Sequence, residues 1–371
     1  MTDPAPLLAV GNGDPAAHPE GTAPAVPSGA AGPPARTAGT PAPSAGPWRA
    51  ALRTLRRNRV AMGSLLVLLA IVALCLLAPV YEHQVAHTDA FASNVSGTTV
   101  VDGRPAPILA PTTDGLGLGV VPIGPTWDPS HFLFGADGQG RDVAARLLYG
   151  GRDSLLIGFS AALMCCLLAA VFGVVAGYFG GIVDGVLSRV LDVIWAFPVY
   201  LLAICLSVVL LTGGLHLGPF TVESGSLALP VVILGFVYIP YVARPLRGQV
   251  LALRQKEFIA AAIGSGASDL RVMRREVLPN VLPTLIVFLP LMTSICMLTE
   301  SALSFLSIGV QPPDASWGTI INDGLGLLYT RPAVAIVPGI AIAITAVALN
   351  LLGDGVRDAL DPKVRARGEG S

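Results

Sequence analysis

The sequence predicts an all-α polytopic membrane protein with six transmembrane helices. Three observations support this fold class: 53% of the 371 residues are hydrophobic, only 13% are charged, and the apolar residues form long uncharged runs. A soluble globular domain carries about 25% charged residues, so this chain has roughly half the charge of a water-facing surface. The composition argues against a cytosolic enzyme, and a net charge of −1 gives no basic surplus for binding nucleic acid.

The two ends of the chain are predicted to be tails. Residues 1–47 are rich in Ala, Gly and Pro, and we expect a disordered cytoplasmic segment. Such a composition buries too little apolar surface to offset the entropy lost on ordering. No basic cluster precedes an apolar stretch near Met1, so a cleavable signal peptide is not expected. Residues 366–371 form the second tail.

The membrane-spanning helices are predicted from six uncharged runs. About 20 helical residues cover the roughly 30 Å of hydrocarbon in a bilayer. Each run is long enough to cross once and too short to cross twice. The runs are residues 60–80, 154–183, 193–222, 224–243, 277–299 and 332–353.

The orientation is predicted from the cationic residues, which favour the cytoplasmic side of a membrane. With both termini inside, most of the 23 Lys and Arg residues fall in cytoplasmic segments. The chain then divides into a basic segment with the first span at 48–80, an extracytoplasmic loop at 81–153, and a core with the other five spans at 154–365.

The chain lacks the residue patterns of a catalyst. The five histidines avoid the middles of the predicted spans, and the five cysteines have no metal-ligand spacing, so no metal site is expected. A phosphate-binding P-loop ends in Gly-Lys-Ser or Gly-Lys-Thr, whereas Lys256 follows Gln and Lys363 follows Pro. We expect no catalytic residue and no bound cofactor, and ATP-driven transport would need an ATPase on another chain.

Glu300, at the outer end of the fifth span, is the candidate intramembrane acid. A proton-coupled carrier usually places several acids near the midplane or shows inverted repeats. A single acid near an interface better fits an anchor, or a hydrogen-bonding group for the loop that follows. An ion-coupled secondary carrier is therefore the less favoured alternative.

The loop at residues 244–280, between the fourth and fifth spans, has the most regular polar sequence. Residues 256–263 predict a short Ala-rich helix, and the glycines within 264–266 predict a turn. Ser268 and Asp269 then offer an N-cap and a first-turn acid for a second short helix. Because a face of Ala and Gly lets another backbone approach closely, we expect this pair of helices to dock onto a partner.

This loop resembles the cytoplasmic "EAA" loop of permeases from binding-protein-dependent ABC importers. The family pattern is Glu-Ala-Ala, a Gly four residues after the second Ala, and a hydrophobic-Leu-Pro ending. Ala260 stands where the family has Glu, and Glu257 lies about one helical turn earlier. The resemblance implies an ATPase-coupling loop that contains Glu257, Ala260, Ala261, Ala262, Gly266, Asp269, Leu278 and Pro279.

Three further segments are similar to the C-type permease subunit of dipeptide, oligopeptide and nickel importers. One precedes the second span, one lies between the fifth and sixth spans, and one occupies residues 350–358. Together they extend the resemblance over most of the chain from about residue 48 to 365. The extracytoplasmic residues of these motifs are Gly135, Asp137, Gly140, Arg141, Asp142, Gln311, Pro312 and Trp317.

The resemblance implies the permease fold of a type I ABC importer, in the plasma membrane of a prokaryote. Such a chain would form half of a pore with a second homologous permease. Its other implied partners are two cytoplasmic ATPase subunits, which bind ATP and Mg²⁺, and an extracytoplasmic substrate-binding protein. Di- or oligopeptides are the expected substrates, with nickel or another small solute as the alternative.

Overall fold

The computed structural model describes residues 47–101, 103–112, 119–218 and 220–361, which are mostly helical. Apart from Pro47, the two predicted tails lie outside these residues. Wider π-helical turns occur at Tyr81–Ala86 and Met273–Val277. The α-helices are α1 (Pro47–Arg57), α2 (Arg59–Leu76), α3 (Ala78–Val80), α4 (Val143–Phe179), α5 (Gly181–Trp195), α6 (Val199–Gly213), α7 (Ala228–Val237), α8 (Ile239–Arg254), α9 (Glu257–Gly264), α10 (Asp269–Val272), α11 (Leu278–Phe305), α12 (Trp317–Gly324) and α13 (Ala333–Leu360).

Short antiparallel hairpins decorate the loops between helices. In the predicted extracytoplasmic loop, β1 pairs with β2 and β3 pairs with β4, and a third hairpin of β5 and β6 follows α6. The strands are β1 (Thr98–Val101), β2 (Arg104–Pro107), β3 (Leu109–Pro111), β4 (Val120–Pro122), β5 (Leu215–Leu217) and β6 (Phe220–Val222).

Four helical segments in the described part of the chain are long and apolar enough to cross a membrane: α2, α4, α13 and the continuous segment Asp269–Phe305. Two bent pairs, α5 with α6 and α7 with α8, raise the number to six if each pair is one span. The bends are 85° and 42° respectively. This agrees with the six predicted spans in number and order.

Two helices differ in extent from the uncharged runs. Helix α4 begins at Val143, before the run that starts at residue 154, because the Asp142 carboxylate accepts backbone hydrogen bonds and caps the helix there. The run at 193–222 is not one helix. Pro198, which has no N–H to donate, separates α5 from α6, and Gly214 with φ of 68° ends α6 before the β5–β6 hairpin.

Helix α4 lies at the centre of the fold and packs against α7, α8 and α11. Its glycines permit the close approach of neighbours. A Cβ added at Gly158 would lie 2.9 Å from Met297 Cβ, and one at Gly177 would lie 2.7 Å from Val250 Cβ. Small residues at helix crossings are typical of membrane bundles, because packing rather than hydrophobic exclusion from lipid holds the helices together.

Candidate functional site

Helix α9 is held to the rest of the protein by one apolar side. Ile259 is fully buried and Ala262 is partly buried, and both pack into a cluster that includes Val250, Val272 and Val277. These residues come from α8, α10 and the π-helical turn before α11. Helix α9 therefore packs directly against the segment that leads into α11.

The opposite side of α9 is exposed and consists of three small residues and one acid. We call it the small-residue face. Phe258, which is 41% exposed, and Ile263, which is 50% exposed, flank it. No other described element covers this face, so a partner's backbone could approach it closely. Its residues are Glu257, Ala260, Ala261 and Gly264.

Gly266 shapes the turn after α9. Its φ of 81° lies in the left-handed region, which glycine adopts without a steric penalty. The N–H of Gly266 donates to the carbonyl of Ile263 at 2.9 Å, and the N–H of Ala267 donates to that of Ala262 at 3.2 Å. Gly266 therefore ends α9 but does not belong to its small-residue face.

The predicted second helix begins at Asp269, with Ser268 at the N-cap position as expected, but it does not end before the fifth span. Asp269–Phe305 is one continuous 37-residue rod, in which α10 runs into the fifth span. Pro279 would clash with the carbonyl four residues earlier in a regular helix, and the wide turn at Met273–Val277 gives it room. Leu278 and Pro279 thus lie at the start of α11, away from the small-residue face.

The N-terminus of the rod is attached to α4. Ser268 has N-cap geometry, but its side chain makes no capping hydrogen bond. The Asp269 carboxylate instead accepts a hydrogen bond of 2.8 Å from the hydroxyl of Tyr178. This contact ties the start of the rod to the end of the central helix.

On the predicted outer side, four charged groups form a compact cluster. Asp137 Oδ2 accepts from Arg141 Nε at 2.7 Å and also from Arg146 Nη1. Asp323 Oδ2 accepts from Arg141 Nη2 at 2.9 Å and forms an ion pair with Arg146 Nη1 at the same distance. We call these four residues the outer charge cluster. It has no net charge, and it joins the start of α4 to α12.

The cluster is buried in an unequal way. The side chains of Asp137 and Arg146 are 1% and 4% exposed, whereas that of Asp323 is 33% exposed. A buried charge is stable only when a partner compensates for the water it has lost. Asp137 is therefore the centre of the network, and Asp323 lies at its edge.

Local backbone geometry explains why Asp137 faces the arginines. Its Oδ1 accepts from the N–H groups of Gln139 at 2.8 Å and Arg141 at 3.1 Å, which closes a tight turn. Gly140, with φ of 77°, completes this turn, and a Cβ there would collide with the carbonyl oxygen of Asn94. Gly135 has φ of 84°, and its added Cβ would lie 2.6 Å from a backbone oxygen.

Asp142 has a different role from Asp137. Its Oδ1 accepts from the N–H of Ala144 at 2.8 Å and so caps α4. Burial raises the pKa of this carboxyl, and the hydrogen bonds from Ala144 and Ala145 lower it. Asp142 thus fixes where α4 begins and, through it, the position of Arg146.

Glu300 is fully buried in α11 and is surrounded by serine hydroxyl groups. Ser304 donates to its Oε1 at 2.6 Å, and Ser154 donates to its Oε2 at 3.0 Å. The Ser154 hydroxyl in turn accepts from the backbone N–H of Trp317 at 3.1 Å. Glu300 therefore lies in a hydrogen-bonded network that joins α11, α4 and the first residue of α12. The sequence predicts an anchor or a hydrogen-bonding group for the loop that follows the fifth span, and Glu300 is placed to serve as one.

The remaining outer motif residues lie around α12. Trp317 is 1% exposed, and its indole N–H donates to the carbonyl of Leu147 at 3.0 Å. Gln311 donates to the carbonyls of Ser307 and Gly309. With Pro312, it borders a polar cavity of about 340 Å³ that also contacts the outer charge cluster.

Sequence reasoning did not select Arg146 or Asp323 as site residues. Arg146 lies within the matched outer segment, and its place one helical turn after the Asp142 cap is a usable signal. Asp323 is an isolated acid in a loop between two spans, and only the folded chain shows that α12 brings it to the arginines.

Comparison with known proteins gives the class of the chain and then its family. The chain is a multi-pass membrane protein by its fold. Residues 169–366 match the family described as "Binding-protein-dependent transport system inner membrane component", and residues 46–94 match "N-terminal TM domain of oligopeptide transport permease C". The chain belongs to the first of these families and is therefore an inner membrane component of such a transport system.

Individual relatives agree with this assignment. The dipeptide transport system permease protein DppC of Bacillus subtilis is 34% identical over 85% of this chain and 85% of its own length. A putative peptide transport system permease of Brucella suis is 42% identical over 64% of this chain and 75% of its own length. An inward-facing structure of the MetNI methionine ABC transporter aligns with a TM-score of 0.46 and 18% identity, over 58% of this chain and 96% of that chain.

Proposed function

We propose that this chain is the permease subunit of an ATP-driven importer of di- or oligopeptides. In this proposal it forms half of the pore with a second permease and works with two ATPase subunits and an extracytoplasmic binding protein. The ATPase subunits, and not this chain, bind ATP and Mg²⁺. The peptide substrate class is proposed from the relatives of this chain. They include a dipeptide permease and an oligopeptide permease that are 34% and 32% identical over 85% and 86% of the chain.

The proposed mechanism uses the Asp269–Phe305 rod as a lever. The small-residue face of α9 would lie in the cytoplasm, in a groove of the ATPase. The 37 residues of the rod extend roughly 55 Å at 1.5 Å per residue, which exceeds the thickness of the hydrocarbon core. Movement of α9 would tilt this rod, and Glu300 near its other end would carry the motion to α12 at the outer mouth.

The coupling role is tested by a bulky substitution on the small-residue face. Ala261→Arg places a long cation where the partner's backbone would lie, and we expect at least a tenfold loss of peptide uptake and of ATPase co-purification. Ala252→Arg is the matched control, because Ala252 is an exposed alanine on α8 outside this face. Normal uptake and normal ATPase co-purification with Ala261→Arg would contradict the proposal.

The substrate and the energy source are tested in proteoliposomes that contain the complete transporter and its binding protein. We expect uptake of a labelled dipeptide that requires ATP and is competed by unlabelled peptides, but not by nickel. Uptake of nickel without uptake of peptide would overturn the substrate class. Uptake by this chain alone, driven by an ion gradient, would overturn the ATP-driven mechanism.

A further inference from the structure

A groove in the membrane-spanning part of the protein lies between α2 and α13. It encloses about 440 Å³ and is almost entirely apolar. Val60, Gly63 and Val67 form one wall, and Ala343, Ile344 and Val347 form the other. The wall on α2 follows about 10 Å of helix, which is enough for a segment of an extended hydrocarbon chain.

One end of this groove is cationic. Arg59, the first residue of α2, borders the groove and is exposed. Asn58 fixes this junction, because its side chain accepts from the N–H groups of Val60 and Ala61 at 3.1 and 3.2 Å. Arg59 therefore lies at the boundary where the uncharged run begins and the phosphate groups of a bilayer are found.

Helix α1 adds further positive charge to the same end. It packs against α2 and α13 through buried Ala51 and partly buried Leu55, and its arginines are exposed. Asp354 and Asp358 of α13 are also near this end of the bundle in sequence. Within the described residues, neither Asp354 nor Asp358 forms an ion pair with the arginines of this end. These arginines are Arg49, Arg53, Arg56, Arg57 and Arg59.

We propose that the groove is a binding site for one anionic phospholipid, such as phosphatidylglycerol. An acyl chain would lie between α2 and α13, and the guanidinium of Arg59 would bind the phosphate, with the α1 arginines nearby. Arginine suits this role because its planar group can donate two hydrogen bonds to one phosphate. A cationic end next to an apolar groove complements a lipid with a net negative charge, and a zwitterionic lipid lacks that complementarity.

Gly63 provides a steric test of the groove. A Cβ added at Gly63 meets no atom within 4 Å, so the side chain of Gly63→Leu starts in open space and extends from the groove wall. Gly339→Leu is the matched control, because Gly339 lies on α13, outside the groove, and also has open space at its Cβ position. Arg59→Gln removes the cation and keeps the groove.

The affinity for the first bound lipid can be measured by native mass spectrometry. The purified full chain is titrated with phosphatidylglycerol or with phosphatidylcholine. We expect tighter binding of phosphatidylglycerol, lost for both lipids in Gly63→Leu and retained in Gly339→Leu. Arg59→Gln should reduce the preference for phosphatidylglycerol about fivefold, which is the contribution of one arginine near an anionic surface. Equal lipid binding by the two leucine variants would overturn the proposal. Unchanged lipid binding by Gly63→Leu with loss of a co-purified second permease would assign the groove to that partner instead.

Discussion

The two ends of the protein differ in whether their side chains find interaction partners within this chain. At the outer end, two acids and two arginines pair with one another, and three of their four side chains are at most 10% exposed. At the other end, α9 buries Ile259 and leaves its small-residue face open. The outer charge cluster is thus complete within one chain, whereas α9 is a surface that a partner could complete.

This difference predicts where substitutions affect stability and where they affect coupling. A buried ion pair becomes very unfavourable when one partner is removed, because the remaining charge is left without compensation. An exposed small residue contributes little to folding, so a change there leaves the chain folded. Substitutions in the outer charge cluster should therefore lower stability, whereas bulky substitutions on the small-residue face should lower transport and leave the chain folded.

The largest effect is expected for Asp137→Asn, which leaves two buried guanidinium groups with a single acid. We expect a loss of about 3 kcal/mol in the free energy of unfolding. Asp323→Asn is the internal control. Because Asp323 is one-third exposed, water compensates for part of its loss, and we expect about 1 kcal/mol. Thermal unfolding of both variants in the same detergent shows which substitution destabilises the protein more. Equal destabilisation, or a larger loss for Asp323→Asn, would contradict the unequal burial of the two acids.

A smaller effect is expected for Glu300→Leu, which removes the acceptor for Ser154, Ser301 and Ser304. One buried hydroxyl left unpaired costs about 1–3 kcal/mol. Because a serine within a helix can donate instead to a backbone carbonyl of the preceding turn, we expect a total loss of about 2 kcal/mol. Glu300→Gln keeps one acceptor oxygen and should lose less than half as much stability. If thermal unfolding shows the two variants to be equally destabilised, the hydrogen bonds to the serines are not what makes Glu300 important to folding.

Much of the fold follows from the sequence, because an uncharged run of about 20 residues is long enough to cross a bilayer as a helix. Each run corresponds to a span or a bent pair. Two helices differ in extent from their runs for local reasons, namely the cap at Asp142 and the break at Pro198. The continuous rod was missed because Pro279 ordinarily marks a helix end, and only the neighbouring π-helical turn shows how the helix passes through it.

The site was predictable where a motif is local. Gly140, Asp137 and Arg141 form their turn within five residues, so the sequence itself contains the geometry. Asp323 reaches the same cluster from 182 residues away from Arg141, and no pattern in a single sequence reports that distance. The functional roles of the coupling and outer residues stay predictions, which the transport and stability measurements above would test.

The smallest effects are expected at two glycines, Gly264 at the end of α9 and Gly266 in the turn that follows. The two positions have opposite backbone requirements. Gly266 has φ of 81°, so Gly266→Ala forces an L-residue into the left-handed region at a cost of about 1 kcal/mol. Gly264 is helical and has open space at its Cβ position, so Gly264→Ala should stabilise α9 by up to about 1 kcal/mol. Hydrogen exchange of the α9 amides should become faster in the first variant and slower in the second. The same direction of change in both would show that backbone conformation does not control the stability of α9.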